Sequence, residues 1–146
     1  MRDYRKITAY KMADDLVIET YRLTRGFPKE ELYGLTSQVR RSAMSVPTNI
    51  AEGASRQHKR DYLNFLFVAR GSLAETAYLL YLAARLGYID SNEYERIDAL
   101  QQEVAKTLFG LIGAVEREVR PFSRSVGLVG SMVYGLWSLV HARISG

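Results

Sequence analysis

The chain has 146 residues, 47% of them apolar and 25% charged, a size and balance ordinary for one soluble globular domain with a real core. It has no cysteine, which excludes disulfides and thiolate metal sites and fits a reducing cytoplasm. The net charge of +4 is segregated: residues 1–60 carry 12 Lys/Arg against 7 Asp/Glu, and residues 61–120 carry 6 against 9. Such asymmetry suits either nucleic acid or a head-to-tail contact between subunits.

The opening MRDYRKITAY has no apolar core of the kind a secretory signal needs. From residue 7 to about 25 the apolar spacing is helical, with Ile7, Tyr10, Ala13, Val17, Tyr21 and Thr24 along one stripe and Leu16 beside it. Gly26 and Pro28 follow in the order expected at a helix end. A second helix is predicted from Glu30, whose acid and that of Glu31 suit a positive N-terminal end. It reads on through Leu35, Val39, Ala43, Val46, Ile50 and Ala54, in phase across Pro47. One kinked helix is therefore expected there rather than two short ones.

The third helix is predicted over 59–86, where Tyr62, Leu66, Ala69, Leu73, Thr76, Leu80 and Ala83 keep the 3.6 period and Gly87 ends the run. Asp90 or Ser91 then caps a fourth helix, which carries Ile97, Leu100, Val104, Leu108, Ile112 and Val115 and stops before Pro121. No segment reads as a strand. Four amphipathic helices on short turns give an all-α, antiparallel up-down four-helix bundle over residues 1–120. Residues 121–146 form a C-terminal apolar extension, either a fifth helix or a flexible tail. Its uncharged stretch of 16 residues would reach about 24 Å as helix, short of the roughly 30 Å hydrocarbon core, so no membrane contact is expected.

The run VPTNIAEGASR (46–56) and the run ARGSLAE (69–75) put small residues on shared helical faces. Mid-helix glycine costs about 1 kcal/mol against alanine, so Gly53 and Gly71, with Ser72, are assigned to close approach between antiparallel helices. Asn49 is expected to satisfy backbone groups freed at Pro47. Glu52 and Glu75 are read as structural carboxylates answered by Arg41, Arg56 or Arg70, ahead of a polar cleft.

No catalytic or metal constellation emerges. A di-iron bundle needs Glu-x-x-His pairs, but Ser55 and Ser138 stand three residues before His58 and His141, the two histidines. No cofactor is implied and no enzyme is expected. The basic residues Arg40, Arg41, Arg56, Lys59 and Arg60 are the candidate nucleic-acid contacts, with Arg2, Arg5 and Lys6 near the start. Arg56, Lys59 and Arg60 stand at i, i+3, i+4 beside His58 and Tyr62. A cationic patch with an aromatic neighbour can hold phosphates without reading sequence. Equally, such a patch can be a solvated face or one side of an intersubunit ion pair.

FPKEELYGLTSQVRRSAMSVPTNIAEGASR, followed by FLFVARGSLAE and LGYI, resembles the bacterial four-helix-bundle family encoded in intervening sequences of 23S ribosomal RNA genes. The resemblance spans about residues 7–117. It implies the bundle and a homopentameric ring. Through a related branch, the accessory proteins of diversity-generating retroelements, it implies nucleic acid and a reverse transcriptase as partners. Thr76-Ala77-Tyr78 departs from the family's more polar pattern. Two readings follow: a cytoplasmic, non-enzymatic ring that binds RNA or DNA with little sequence preference, or an oligomeric scaffold whose charged faces join subunits or a protein partner.

Overall fold

The computed structural model describes residues 2–120, and both expectations for residues 121–146 lie outside them. Four helices run Thr8–Thr24 (α1), Leu35–Ala54 (α2), Lys59–Arg85 (α3) and Ser91–Val119 (α4), with short 3-10 turns at Tyr4–Lys6 and Lys29–Glu31. Consecutive helices pack on each other and α4 closes back onto α1. Arg2, Ala54, Lys59 and Glu118 meet at one end of the bundle, while Arg22, Glu31, Tyr88 and Glu93 meet at the other. This up-down antiparallel order is the one the periodicity predicts. The core is a continuous column that includes Leu16, Val39, Ile50, Leu66, Leu73, Leu80, Val104 and Leu108.

Local chemistry sets the helix ends. Asp90 caps α4 by accepting from the Glu93 N–H at 2.8 Å. Gly87, at φ 78°, ends α3. There the Tyr88 N–H donates to the Ala83 carbonyl and the Gly87 N–H to the Ala84 carbonyl, the paired bonds of a left-handed terminus. The second helix begins later than predicted: α2 starts at Leu35, because the chain turns at Gly34 after the 3-10 segment. The acid still serves that terminus, since the Glu31 carboxylate accepts from the Leu35 N–H at 2.9 Å.

Helix α2 continues through Pro47. Proline removes the donor for the carbonyl four residues earlier, that of Ala43. Asn49 does not answer it: its Nδ2 donates to the Ser45 carbonyl at 2.7 Å and to Ser45 Oγ at 2.9 Å. Asn49 belongs instead to a polar seam between α2 and α3. Ser45 Oγ meets Ser72 Oγ at 2.8 Å, and Thr76 Oγ1 donates to Ser42 Oγ at 2.9 Å. Small hydroxyl residues let the two backbones approach while satisfying each other's polar atoms. The seam runs towards Gly53, where an added Cβ would lie 2.8 Å from Phe65 Cβ and 2.8 Å from Tyr62 Cδ2.

Gly71 departs from its assignment. It is exposed, and a Cβ there would meet nothing within 4 Å among the described residues. It lies on the outward face of α3 with Val68, Ala74 and Tyr78, all exposed. That outward row helps make α3 long and apolar enough, by length and composition, to cross a membrane, although its other face is built into the bundle. In α1 the buried stripe is Ala9, Ala13, Leu16, Thr20 and Thr24, displaced from the predicted one. Threonine fits there because Thr20 Oγ1 donates to the Leu16 carbonyl at 2.7 Å and Thr24 Oγ1 to the Thr20 carbonyl at 2.8 Å.

Candidate nucleic-acid interface

The five basic residues singled out in the sequence do not form one patch. Arg40 turns inward, where its Nε donates to Thr24 Oγ1 at 2.8 Å and its guanidinium lies 4.4 Å from the Tyr21 ring centroid. It clamps α2 to α1. Arg41 is exposed, but at 1.5 Å of rise per residue it stands about 20 Å along α2 from Ala54. Arg56 and Lys59 line one cleft at the α2–α3 turn together with Arg2, and Arg60 follows Lys59 in the first turn of α3, outside that lining.

Segments 55–58 carry the chain from the end of α2 into α3. Ser55 closes α2, with its N–H donating to the Ala51 and Glu52 carbonyls and its Oγ to the Glu52 carbonyl. Arg56 then stacks on Phe65, its guanidinium 4.6 Å from the ring centroid. That contact holds the charge in place through the guanidinium face, and Arg56 makes no ion pair among the described residues. Arg60 is exposed and likewise unpaired.

Lys59 and Arg2 share one carboxylate. Glu118 Oε2 accepts from Arg2 at 3.1 Å and from Lys59 Nζ. The triad ties the first turn, the start of α3 and the end of α4 together. No spacing in the sequence signals it, since 59 and 116 residues separate its members. Between these groups lies a cleft of about 420 Å³ lined by Arg2, Ala54, Ser55, Arg56, Gln57, Lys59 and Tyr62. Tyr62 is 2% exposed. Its hydroxyl finds no acceptor among the described residues; the group set against it is the donor-only Arg2 guanidinium, 5.3 Å from the ring centroid. Burial pushes the Tyr62 phenol up, and the charge of Arg2 and its hydrogen bonding to the phenol oxygen oppose part of that rise.

Glu52 and Glu75 are both exposed, with no ion pair among the described residues. Of the arginines expected to answer them, Arg56 lies on Phe65, Arg70 lies over Phe67 at 4.9 Å, and Arg41 makes no ion pair among the described residues. His58 is exposed at the N-cap of α3, and His141 lies outside the described residues. Among the described residues no three acids or histidines converge as a metal ion would require.

No curated protein matches the chain. A crystal structure of a protein with unknown function from the S23 ribosomal protein family of Bacteroides thetaiotaomicron VPI-5482 is similar, at 26% identity and a TM-score of 0.67, covering 72% of this chain and 98% of that one. A family model described as 23S rRNA-intervening sequence protein matches residues 5–110. The matched stretch holds α1, α2, α3 and most of α4, with Arg56, Lys59, Arg60 and Tyr62, but neither Arg2 nor Glu118. The chain belongs to the family of 23S rRNA-intervening sequence proteins.

Proposed function

We propose that this chain is a non-enzymatic, oligomeric bundle that binds RNA or DNA through the cationic end formed by Arg56, Lys59, Arg60 and Arg2. The observation that carries the reading is Arg56 fixed on Phe65 beside Lys59 and Arg2 around one cleft. Two of its cations, Arg56 and Arg60, are unpaired among the described residues. Arg40 and Arg41 drop out of the footprint for the geometric reasons above. A closed ring repeats a modest patch once per subunit, so weak contacts sum.

Light scattering coupled to size exclusion, with and without a labelled structured RNA, tests this. The expected result is an oligomer that carries RNA at low salt and releases it as salt rises. Each displaced counterion steepens the salt dependence, so about three phosphate contacts per subunit give a log–log slope of roughly −2 to −3 per subunit engaged. Arg56→Glu with Arg60→Glu leaves the oligomer intact and abolishes binding. Salt-independent binding would sink the electrostatic mechanism.

A second reading, a scaffold, is favoured by one observation. The outward face of α3 presents Val68 at 53% and Tyr78 at 60% exposure, with Gly71 open between them. A mid-helix glycine with no neighbour among the described residues is explained when another backbone approaches it, and a second copy of this chain is the occupant the family resemblance implies. If assembly is the whole role, the oligomer forms and ignores nucleic acid.

A further inference from the structure

The α2–α3 cleft is more built than a basic patch requires. A cation patch that only tracks a phosphate backbone is satisfied by exposed arginines, yet here Tyr62 lines the cleft and its buried hydroxyl has only the donor Arg2 against it and no acceptor among the described residues. Leaving such a group unanswered is costly. The first turn of α3 begins at Lys59, and its N-cap residue, His58, makes no side-chain capping bond. The free backbone N–H groups of that turn and the positive end of a 27-residue helix therefore lie beside Lys59.

The charge at the cleft is also specific. Arg2, Arg56 and Lys59 bring three positive charges, answered within the described residues by the single carboxylate of Glu118. The surplus is two. A phosphodiester in a strand carries one negative charge, whereas a phosphate monoester carries close to two near neutral pH. The volume of about 420 Å³ accommodates a phosphate with part of its nucleoside, as small-ligand pockets of about 300–1,000 Å³ do.

We infer that this cleft recognises a phosphate monoester, the terminal phosphate of a nucleic-acid strand, through Arg56, Lys59, Arg2 and the Tyr62 hydroxyl. The inference rests on the nucleic-acid reading for its source of ligand, but the phosphate chemistry can be tested apart from it. The incoming dianion competes with Glu118 for Lys59 and Arg2. As Arg2 turns from the Tyr62 ring to the phosphate, the hydroxyl gains an acceptor. Arg56, already held on Phe65, supplies a preorganised fork for two phosphate oxygens.

The experiment uses the full chain and two single-stranded RNAs of identical sequence, one with a 5′-phosphate and one with a 5′-hydroxyl, each labelled at its 3′ end. Anisotropy titrations are run at low salt, with inorganic phosphate and a nucleoside 5′-monophosphate as competitors. Calorimetry of the two competitors alone forms a separate arm. The expected result is about tenfold tighter binding of the phosphorylated strand, the size of one hydrogen-bonded charge contact. Inorganic phosphate removes that advantage, and Tyr62→Phe brings the two strands to within about twofold of each other. Circular dichroism establishes that this variant is folded, and Arg56→Gln provides an independent loss.

Equal affinity of the two strands, with no heat from either competitor, overturns the inference while leaving the basic-face reading intact. If neither strand binds but the monophosphate gives heat that Tyr62→Phe abolishes, the cleft stands with a free nucleotide as its source and the nucleic-acid reading falls. Heat from inorganic phosphate that Tyr62→Phe and Arg56→Gln leave unchanged places phosphate elsewhere and overturns the assignment.

Discussion

Gln101 sits in the middle of α4 at 0% exposure, and neither its amide oxygen nor its amide nitrogen has a hydrogen-bond partner among the described residues. A buried amide in that state is destabilising by about 1–3 kcal/mol. Gln101→Met, close in length and shape, is expected to raise the melting temperature by several degrees, measured by circular dichroism on the full chain. In the sequence Gln101 interrupts the row Ile97, Val104 and Leu108, and the period that turns those residues inward turns it inward too. The two mid-helix glycines differ from one another. Both were assigned to close packing from one propensity argument, yet Gly53 lies against Tyr62 and Phe65 while Gly71 faces outward. Gly53→Ala should destabilise the fold by about 1–3 kcal/mol through overpacking. Gly71→Ala should raise the unfolding free energy of a dissociated subunit by up to about 1 kcal/mol and weaken an oligomer that uses that face. Denaturant melts and light scattering of both variants separate these outcomes.

Among the elements, α3 and α4 are the most legible, because their apolar periods run for many turns and Gly87 and Asp90 carry unambiguous stop and start chemistry. The start of α2 is less so. Acids at 30 and 31 mark an N-terminus, but Gly34 delays the helix and turns Glu31 into a cap acting from outside it. The link between α1 and α4 is invisible to local reading. There Arg22 donates to Glu93 at 2.6 Å and to Glu19 at 2.9 Å. The hydrogen bond from Arg22 holds the Glu93 carboxyl below its ordinary value of 4.5. A depressed carboxyl pKa means the folded state releases that proton more readily than the unfolded chain. The resulting stability is present above about pH 4.5 and is lost as pH falls through the lower folded value. Glu93→Gln should therefore melt below the unsubstituted protein at pH 7, with the gap closing under acid conditions. A gap that stays the same however far the pH is lowered would assign the effect to something other than the ion pair.

For the molecule as a whole, the fold follows from periodicity and short turns, whereas the cationic end does not follow from composition. The first sixty residues are basic, but their charges part company once folded. Arg40 becomes a clamp on Tyr21 and Thr24, Arg41 is exposed farther along α2, and Arg56 and Lys59 remain around one cleft with Arg60 next in sequence. Arg2 completes that set through Glu118, a partner 116 residues away. Sequence spacing can place residues on one turn of one helix; it says nothing of which helix ends meet.

The Glu118 triad has one more consequence, for connectivity. Arg2 and Glu118 lie within hydrogen-bond distance, so the first turn of the bundle and its last are spatial neighbours, and α4 passes on to α1 much as α1 passes on to α2. The packing is cyclic although the chain is linear. Among the described residues, a permuted order of the same four helices, cut at the Gly87 turn and joined across the Arg2–Glu118 gap, describes the same set of helix neighbours.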